Sequence, residues 1–136
     1  MRRRHFESLG GFYIELAAAE DWDLWIRFAA NHSVKYCGEP LVSYRFHSSM
    51  MSGDPAKMTA ARNQVIQRSL ALPRAQSLSS SVRRRIRAAT WATNGWDSAR
   101  HARRYDAMKN YALAIGQWPF ASGPYRELVK VCLGRV

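Results

Sequence analysis

The chain has 136 residues, of which 47% are hydrophobic and 23% are charged. These proportions are typical of a folded globular domain, so they exclude wholesale disorder, and no apolar run is long enough to predict a transmembrane helix. The formal net charge is +11 and it is uneven, because residues 1–54 sum to −1 and residues 55–136 sum to +12.

The first third of the chain predicts short elements around one longer helix. A helical turn over residues 2–9 is expected to stop at Gly10 and Gly11, because glycine tolerates the positive φ of a helix end. Apolar residues at helical spacing predict a helix over residues 20–31. Alternation of apolar and polar residues then predicts two short strands, over 34–37 and 41–46.

The pattern changes to a helical period at Asp54, which is a good N-cap with Pro55 at the first helical position. Four helices with short loops are expected, and short loops favour antiparallel packing of neighbours. Their predicted ranges are 55–72, 80–94, 98–117 and 123–133. The predicted fold class is therefore α+β and mostly α, with a helix and two short strands followed by an antiparallel four-helix region.

Two features bear on the compartment. No apolar segment of the secretory type follows the basic N-terminus, so no secretory signal is predicted. The two cysteines, Cys37 and Cys132, lie far apart in sequence and form no metal-binding or disulfide pattern. Reduced thiols in the cytoplasm are the simplest interpretation.

Three separated sequence blocks in the first third of the chain resemble those of a known enzyme family. The first ends in Gly10-Gly11-Phe12, the second reads Glu-Asp-Trp-Asp-Leu-Trp-Ile-Arg over residues 20–27, and the third ends in Tyr-Arg-Phe-His over residues 44–47. In this order and spacing they resemble family 2 glycosyltransferases. The resemblance implies that residues 1–53 are the C-terminal portion of a GT-A α/β catalytic domain and that residues 54–136 are a basic helical extension.

The resemblance also implies an enzymatic function. Such enzymes transfer a sugar, with inversion, from a nucleoside-diphosphate sugar to an acceptor hydroxyl on a glycan or lipid-linked acceptor, in cell-surface polysaccharide or glycolipid synthesis. A divalent cation, Mg²⁺ or Mn²⁺, is expected in the complete enzyme. The nucleotide-binding half is not recognisable in this chain, so the chain is expected to be a fragment, or one piece of a split enzyme with an N-terminal partner, and inactive alone.

The resemblance assigns the catalytic base to Asp21. An acceptor hydroxyl is a poor nucleophile, so a carboxylate must take its proton as the new bond forms. The alternative interpretation of Asp21 is a helix N-cap with acidic neighbours. Glu20 and Asp23 are expected either to orient Asp21 or bind acceptor hydroxyls, or to be first-turn acids that favour the helix dipole.

The remaining candidate residues surround the acceptor and the donor. Trp22 offers a ring on which an acceptor sugar can stack, and Gly10 and Gly11 allow the backbone to approach the donor sugar. The resemblance places Arg45 and His47 near the donor diphosphate, where a cation stabilises the charge of the leaving group, and His47 is a candidate metal ligand. The alternative for both is an exposed basic strand edge.

The positive charge of residues 55–136 leaves a second function as an alternative. A small basic helical module could bind nucleic acid or an anionic membrane. No helix-turn-helix, zinc or RNA-binding signature accompanies the arginines, which disfavours nucleic acid. The two functions combine if the basic helices hold a cytoplasmic enzyme on the inner face of the membrane, where lipid-linked acceptors lie.

Overall fold

A computed structural model of the chain describes residues 1–45 and 50–135, apart from the side chain of Met51. Helices account for the regular secondary structure of this part of the chain, and a 3₁₀ turn, Met51–Gly53, precedes the long helices. The helices are α1 (Arg3–Ser8), α2 (Glu20–Asn31), α3 (Pro55–Ala71), α4 (Pro73–Gln76), α5 (Ser80–Arg100), α6 (Arg104–Gln117) and α7 (Ser122–Cys132).

The predicted α+β class is wrong, and so is the predicted GT-A fragment with a helix and two strands. Within the described residues the chain forms no strand, and residues 34–37 and 41–45 of the predicted strands are irregular backbone. Their apolar side chains, among them Val34, Tyr36 and Val42, are exposed. Two short strands with no third strand beside them are marginal in water, so alternation alone did not produce a sheet here. Phe46 lies outside the described residues.

Helices α3, α5, α6 and α7 form an antiparallel bundle. Arg84, near the start of α5, donates from Nε to the carbonyl of Gln117 at the end of α6 over 2.9 Å. Arg104, at the start of α6, donates from Nη2 to the carbonyl of Val131 near the end of α7 over 3.0 Å. A core cluster between α5, α6 and α7 contains Ala99, Ala107, Tyr111 and Val131, with Leu128 packed against it.

The start of α3 agrees with its sequence signal, whereas the predicted break at residues 95–97 is wrong. Asp54 caps α3 by accepting from the backbone amides of Ala56 and Lys57. Helix α5 runs on through Gly95 to Arg100, and the chain turns instead at Ala102, which has a positive φ of 57°. The glycine has a packing role rather than a terminating one.

The ring of Tyr111 packs directly against the backbone of Gly95. Tyr111 is buried, and this burial raises its pKa to about 12. A Cβ at residue 95 would lie 2.8 Å from ring atoms Cδ1 and Cε1 of Tyr111. Since real Cβ atoms do not approach so closely, an added methyl group would have to displace the ring or the helix. The contact between α5 and α6 therefore depends on this glycine.

Gly95→Ala is expected to lower the free energy of unfolding by about 1–2 kcal/mol, because overpacking outweighs the ~1 kcal/mol gain in helix propensity. Gly116→Ala, in α6, is the matched control, since no atom lies within 4 Å of the Cβ it would add. The control should gain about 0.5–1 kcal/mol. Urea unfolding followed by circular dichroism measures both, and equal effects would contradict the packing role of Gly95.

Candidate functional site

The predicted base, Asp21, lies in an open cleft of about 460 Å³ where the N-terminus of α2 meets α3 and α5. We call this the α2 cleft. Glu20, Asp21 and Trp22 supply the α2 wall. The other described residues that line it come from the loop before α2, the segment before α3, α3 and α5: Phe12, Ala19, Tyr44, Ser52, Met58, Arg62 and Thr93.

The start of α2 presents Asp21 to solvent. The N-cap residue is Ala19, which has a positive φ of 58° and follows Ala18, a fully buried residue. Asp21 is exposed, and its Oδ1 accepts a hydrogen bond from the backbone amide of Trp22 over 2.8 Å. Because Asp21 is exposed and lines the open α2 cleft, its carboxylate can also accept from a bound hydroxyl.

Aromatic side chains line the same cleft as this carboxylate. Phe12, Trp22 and Tyr44 line the α2 cleft and are all exposed, with 43% of Trp22 accessible to solvent. The Tyr44 hydroxyl lies 3.0 Å from the Ser52 Oγ, a contact within the segment before α3. A carboxylate accepts hydrogen bonds only, so carboxylates beside apolar rings suit a ligand that has hydroxyl groups and apolar faces.

Arg62 and Thr93 line the cleft and were not predicted from the sequence. Arg62 Nη1 donates to Asp97 Oδ2 over 3.0 Å and to Asn94 Oδ1 over 3.2 Å, which ties α3 to α5 beneath the cleft. Both residues belong to the bundle and reach the α2 cleft by packing between distant segments. No local sequence signal indicated that contact.

Asp23 has a different environment from Asp21, although the two are separated by a single residue. Its side chain is only 2% exposed, and both of its oxygens are engaged. Oδ2 accepts from Arg27 Nε over 2.7 Å and Oδ1 accepts from Arg68 Nε over 3.0 Å. Asp23 is not among the described residues of the α2 cleft. Its geometry favours a structural role that holds α2 against α3.

Arg27 joins the first two sequence blocks. Besides its ion pair with Asp23, it donates from Nη1 to the carbonyl of Leu9 over 2.6 Å and from Nη2 to that of Gly11 over 2.8 Å. Gly10 and Gly11 have φ values of 76° and 68°, which confirms the predicted left-handed turn. The i, i+4 spacing of Asp23 and Arg27 could have indicated this pair from the sequence, but no such pair was predicted. The glycines shape the loop and do not line the α2 cleft.

Tyr13 extends the same network. The guanidinium carbon of Arg68 lies 3.5 Å from the Tyr13 ring centroid, a cation–π contact. The Tyr13 hydroxyl donates to the Glu15 carboxylate, and this hydrogen bond raises the pKa of Tyr13. Arg68, on α3, therefore contacts Tyr13 in the loop before α2 and Asp23 in α2 itself. One side chain of α3 holds both the loop and the helix.

The donor-side candidates are only partly described. Arg45 is exposed and is not among the described residues of the α2 cleft. His47 lies outside the described residues, so its predicted roles stay predictions. The described residues hold no group of three or more His, Cys, Asp or Glu side chains that fits a metal ion, and Asp23 is engaged by two arginines. The expected Mg²⁺ or Mn²⁺ therefore stays a prediction, since the candidate ligand His47 lies outside the described residues.

Comparison with known proteins finds no family model that matches the chain, and no curated protein or solved structure that is similar to it. Among the described helices, none combines the length and apolar character needed to cross a bilayer. The geometry of the α2 cleft therefore carries the functional interpretation together with the sequence blocks.

Proposed function

We propose that the chain takes part in glycosyl transfer, in which a sugar passes with inversion from a nucleoside-diphosphate donor to an acceptor hydroxyl. The observation that supports this best is the α2 cleft, which places Asp21, the base expected from the sequence blocks, beside Glu20 and Trp22 in an open site. The proposal concerns this chemistry and does not include the GT-A fold.

Asp21 acts as the general base in this proposal. The acceptor oxygen attacks C1 of the donor sugar, its proton passes to the Asp21 carboxylate, and the bond from C1 to the diphosphate oxygen breaks. The nucleoside diphosphate leaves with the electron pair of that bond. A positioned base of this kind contributes about 10²–10⁴-fold to a rate, and the exposed position of Asp21 allows a hydroxyl to reach it.

The rest of the cleft binds the acceptor. Glu20 accepts hydrogen bonds from sugar hydroxyls, and Trp22 and Tyr44 contact the apolar face of the ring. The volume of about 460 Å³ suits one or two sugar units, since pockets for small ligands occupy about 300–1,000 Å³. Arg45 and His47 remain predicted to bind the donor diphosphate. The acceptor is a glycan or a lipid-linked sugar.

An assay of sugar transfer tests the proposal. The natural gene product is incubated with a panel of labelled nucleotide sugars and neutral saccharides. We expect a glycosylated saccharide whose new linkage has the anomeric configuration opposite to that of the donor, detected by mass spectrometry and NMR. Retention of configuration would contradict the base role of Asp21. Absence of product across the panel, together with no saccharide binding at Trp22, would contradict the function as a whole.

A further inference from the structure

The arginine run Arg83–Arg87 divides between two environments. Arg84 donates to the carbonyls of Gln117 and Gly116 over 2.9 and 3.4 Å, and the guanidinium of Arg85 lies 5.6 Å from the Trp118 ring centroid. These two arginines hold α5 against the end of α6. Arg83 and Arg87 instead line an open cleft of about 470 Å³ between α3 and α5. We call it the α3–α5 cleft.

Two positive charges face the α3–α5 cleft without a negative partner. Within the part of the chain that the structure describes, neither the Arg83 nor the Arg87 guanidinium makes an ion pair or a hydrogen bond, and no Asp or Glu is among the residues lining the cleft. The two arginines are at positions i and i+4 of α5, on the same face, where like charges destabilise a helix by a few tenths of a kcal/mol. A bound anion would remove that repulsion.

Uncharged groups complete the cleft around these arginines. Trp91 continues the row along α5, four residues after Arg87, and Gln67 and Gln117 line the cleft as well. Asn63 also lines the cleft, and because its Oδ1 accepts from the buried Asn94 over 3.1 Å, its amide nitrogen is not used in that hydrogen bond. The site therefore offers two guanidinium groups, amide donors and one aromatic ring.

We propose that the α3–α5 cleft binds a phosphate monoester whose organic part packs on Trp91. A phosphate monoester carries about −1.5 to −2 charges at neutral pH, which matches two guanidinium groups better than the single charge of a carboxylate. Guanidinium also binds phosphate oxygens in a bidentate manner. Among the described residues this site shares no lining residue with the α2 cleft, and the proposal does not depend on glycosyl transfer.

Isothermal titration with adenosine monophosphate and with adenosine tests the soluble form of this ligand. We expect the monophosphate to bind at least about tenfold more tightly than the nucleoside, because charge-assisted hydrogen bonds are worth that much. The double variant Arg83→Gln/Arg87→Gln should lose this preference. The matched control, Arg3→Gln/Arg126→Gln, removes the same charge from exposed arginines and should bind within about twofold of the parent chain.

Sedimentation with vesicles identifies the source of the phosphate. If phosphatidic acid vesicles bind more than phosphatidylcholine vesicles, and only the Arg83→Gln/Arg87→Gln variant loses the difference, the phosphate is that of a lipid and the site is upheld. The thermal midpoint of that variant should not fall, since a repulsion has been removed. Arg87→Lys, which keeps the charge but not the bidentate geometry, should weaken binding only in part.

Two results would overturn the site. One is that neither adenosine monophosphate nor phosphatidic acid distinguishes the two double variants. The other is that only a DNA oligonucleotide binds and both double variants weaken it equally, because the basic surface would then act by its total charge.

Discussion

Asp21→Asn is expected to lower the rate of sugar transfer by about 10²–10⁴-fold, because the amide keeps the shape of the side chain but cannot take the acceptor proton. Binding of the acceptor saccharide should change little, since Glu20 and Trp22 remain in the α2 cleft. The folded state should also be retained, because Asp21 is exposed and its described hydrogen bond is with the backbone of the next residue. Rate and binding are measured on the natural gene product.

The control for this variant is Glu7→Gln, which removes one exposed carboxylate from outside the cleft and should leave the transfer rate unchanged. Asp23→Asn is unsuitable as a control, because Asp23 is buried between two arginines. Glu20→Gln is the informative neighbour, and it should weaken acceptor binding more than it slows transfer. Near-complete activity of Asp21→Asn, together with an inactive Glu20→Gln, would show that the base is Glu20 instead.

The buried ion pairs of Asp23 should carry the largest effect on stability. Asp23→Asn is expected to lower the free energy of unfolding by about 3–5 kcal/mol, because it leaves Arg27 charged and without its partner in a position that is only 16% exposed. The midpoint of thermal unfolding should fall by roughly 10 °C or more. Urea and thermal unfolding, followed by circular dichroism, measure the change.

Glu7→Gln is the matched control here as well. It breaks another i, i+4 pair with an arginine, that of Glu7 with Arg3, but those side chains are 57% and 91% exposed. Exposed pairs of this kind contribute about 0.3–0.5 kcal/mol, so the control should lose no more than that. A loss below ~1 kcal/mol for Asp23→Asn would mean that the contacts of Asp23 with Arg27 and Arg68 do not hold α2 on the bundle.

The sequence predicted those elements whose signals are local. Helix α2 matches the predicted range because its apolar spacing is a property of twelve consecutive residues. The cap at Asp54 and the positive φ of Gly10 and Gly11 are likewise set by residue chemistry at one position.

The sequence misled where tertiary packing decides the conformation. Residues 34–37 and 41–46 alternate like two strands, but two short strands need a third beside them, and the described part of the chain forms no strand. A glycine such as Gly95 often marks the end of a helix, but here its missing side chain leaves room for the ring of Tyr111. The buried state of Asp23 depends on Arg68, which is 45 residues away. A contact between residues so far apart cannot be predicted from the spacing of neighbouring residues in the sequence.

The exposed ring of Trp22 gives the most direct measurement of the central claim, which is that the α2 cleft binds a saccharide acceptor. The indole N–H resonances of the ¹⁵N-labelled chain can be followed during titration with glucose, galactose, mannose, N-acetylglucosamine and their disaccharides. The resonance of Trp22 is assigned as the one that disappears in Trp22→Phe. The account predicts a saturable shift of the Trp22 resonance, while those of Trp91 and Trp118, outside the cleft, stay in place. Shifts confined to the other tryptophans, or no shift with any saccharide, would contradict it.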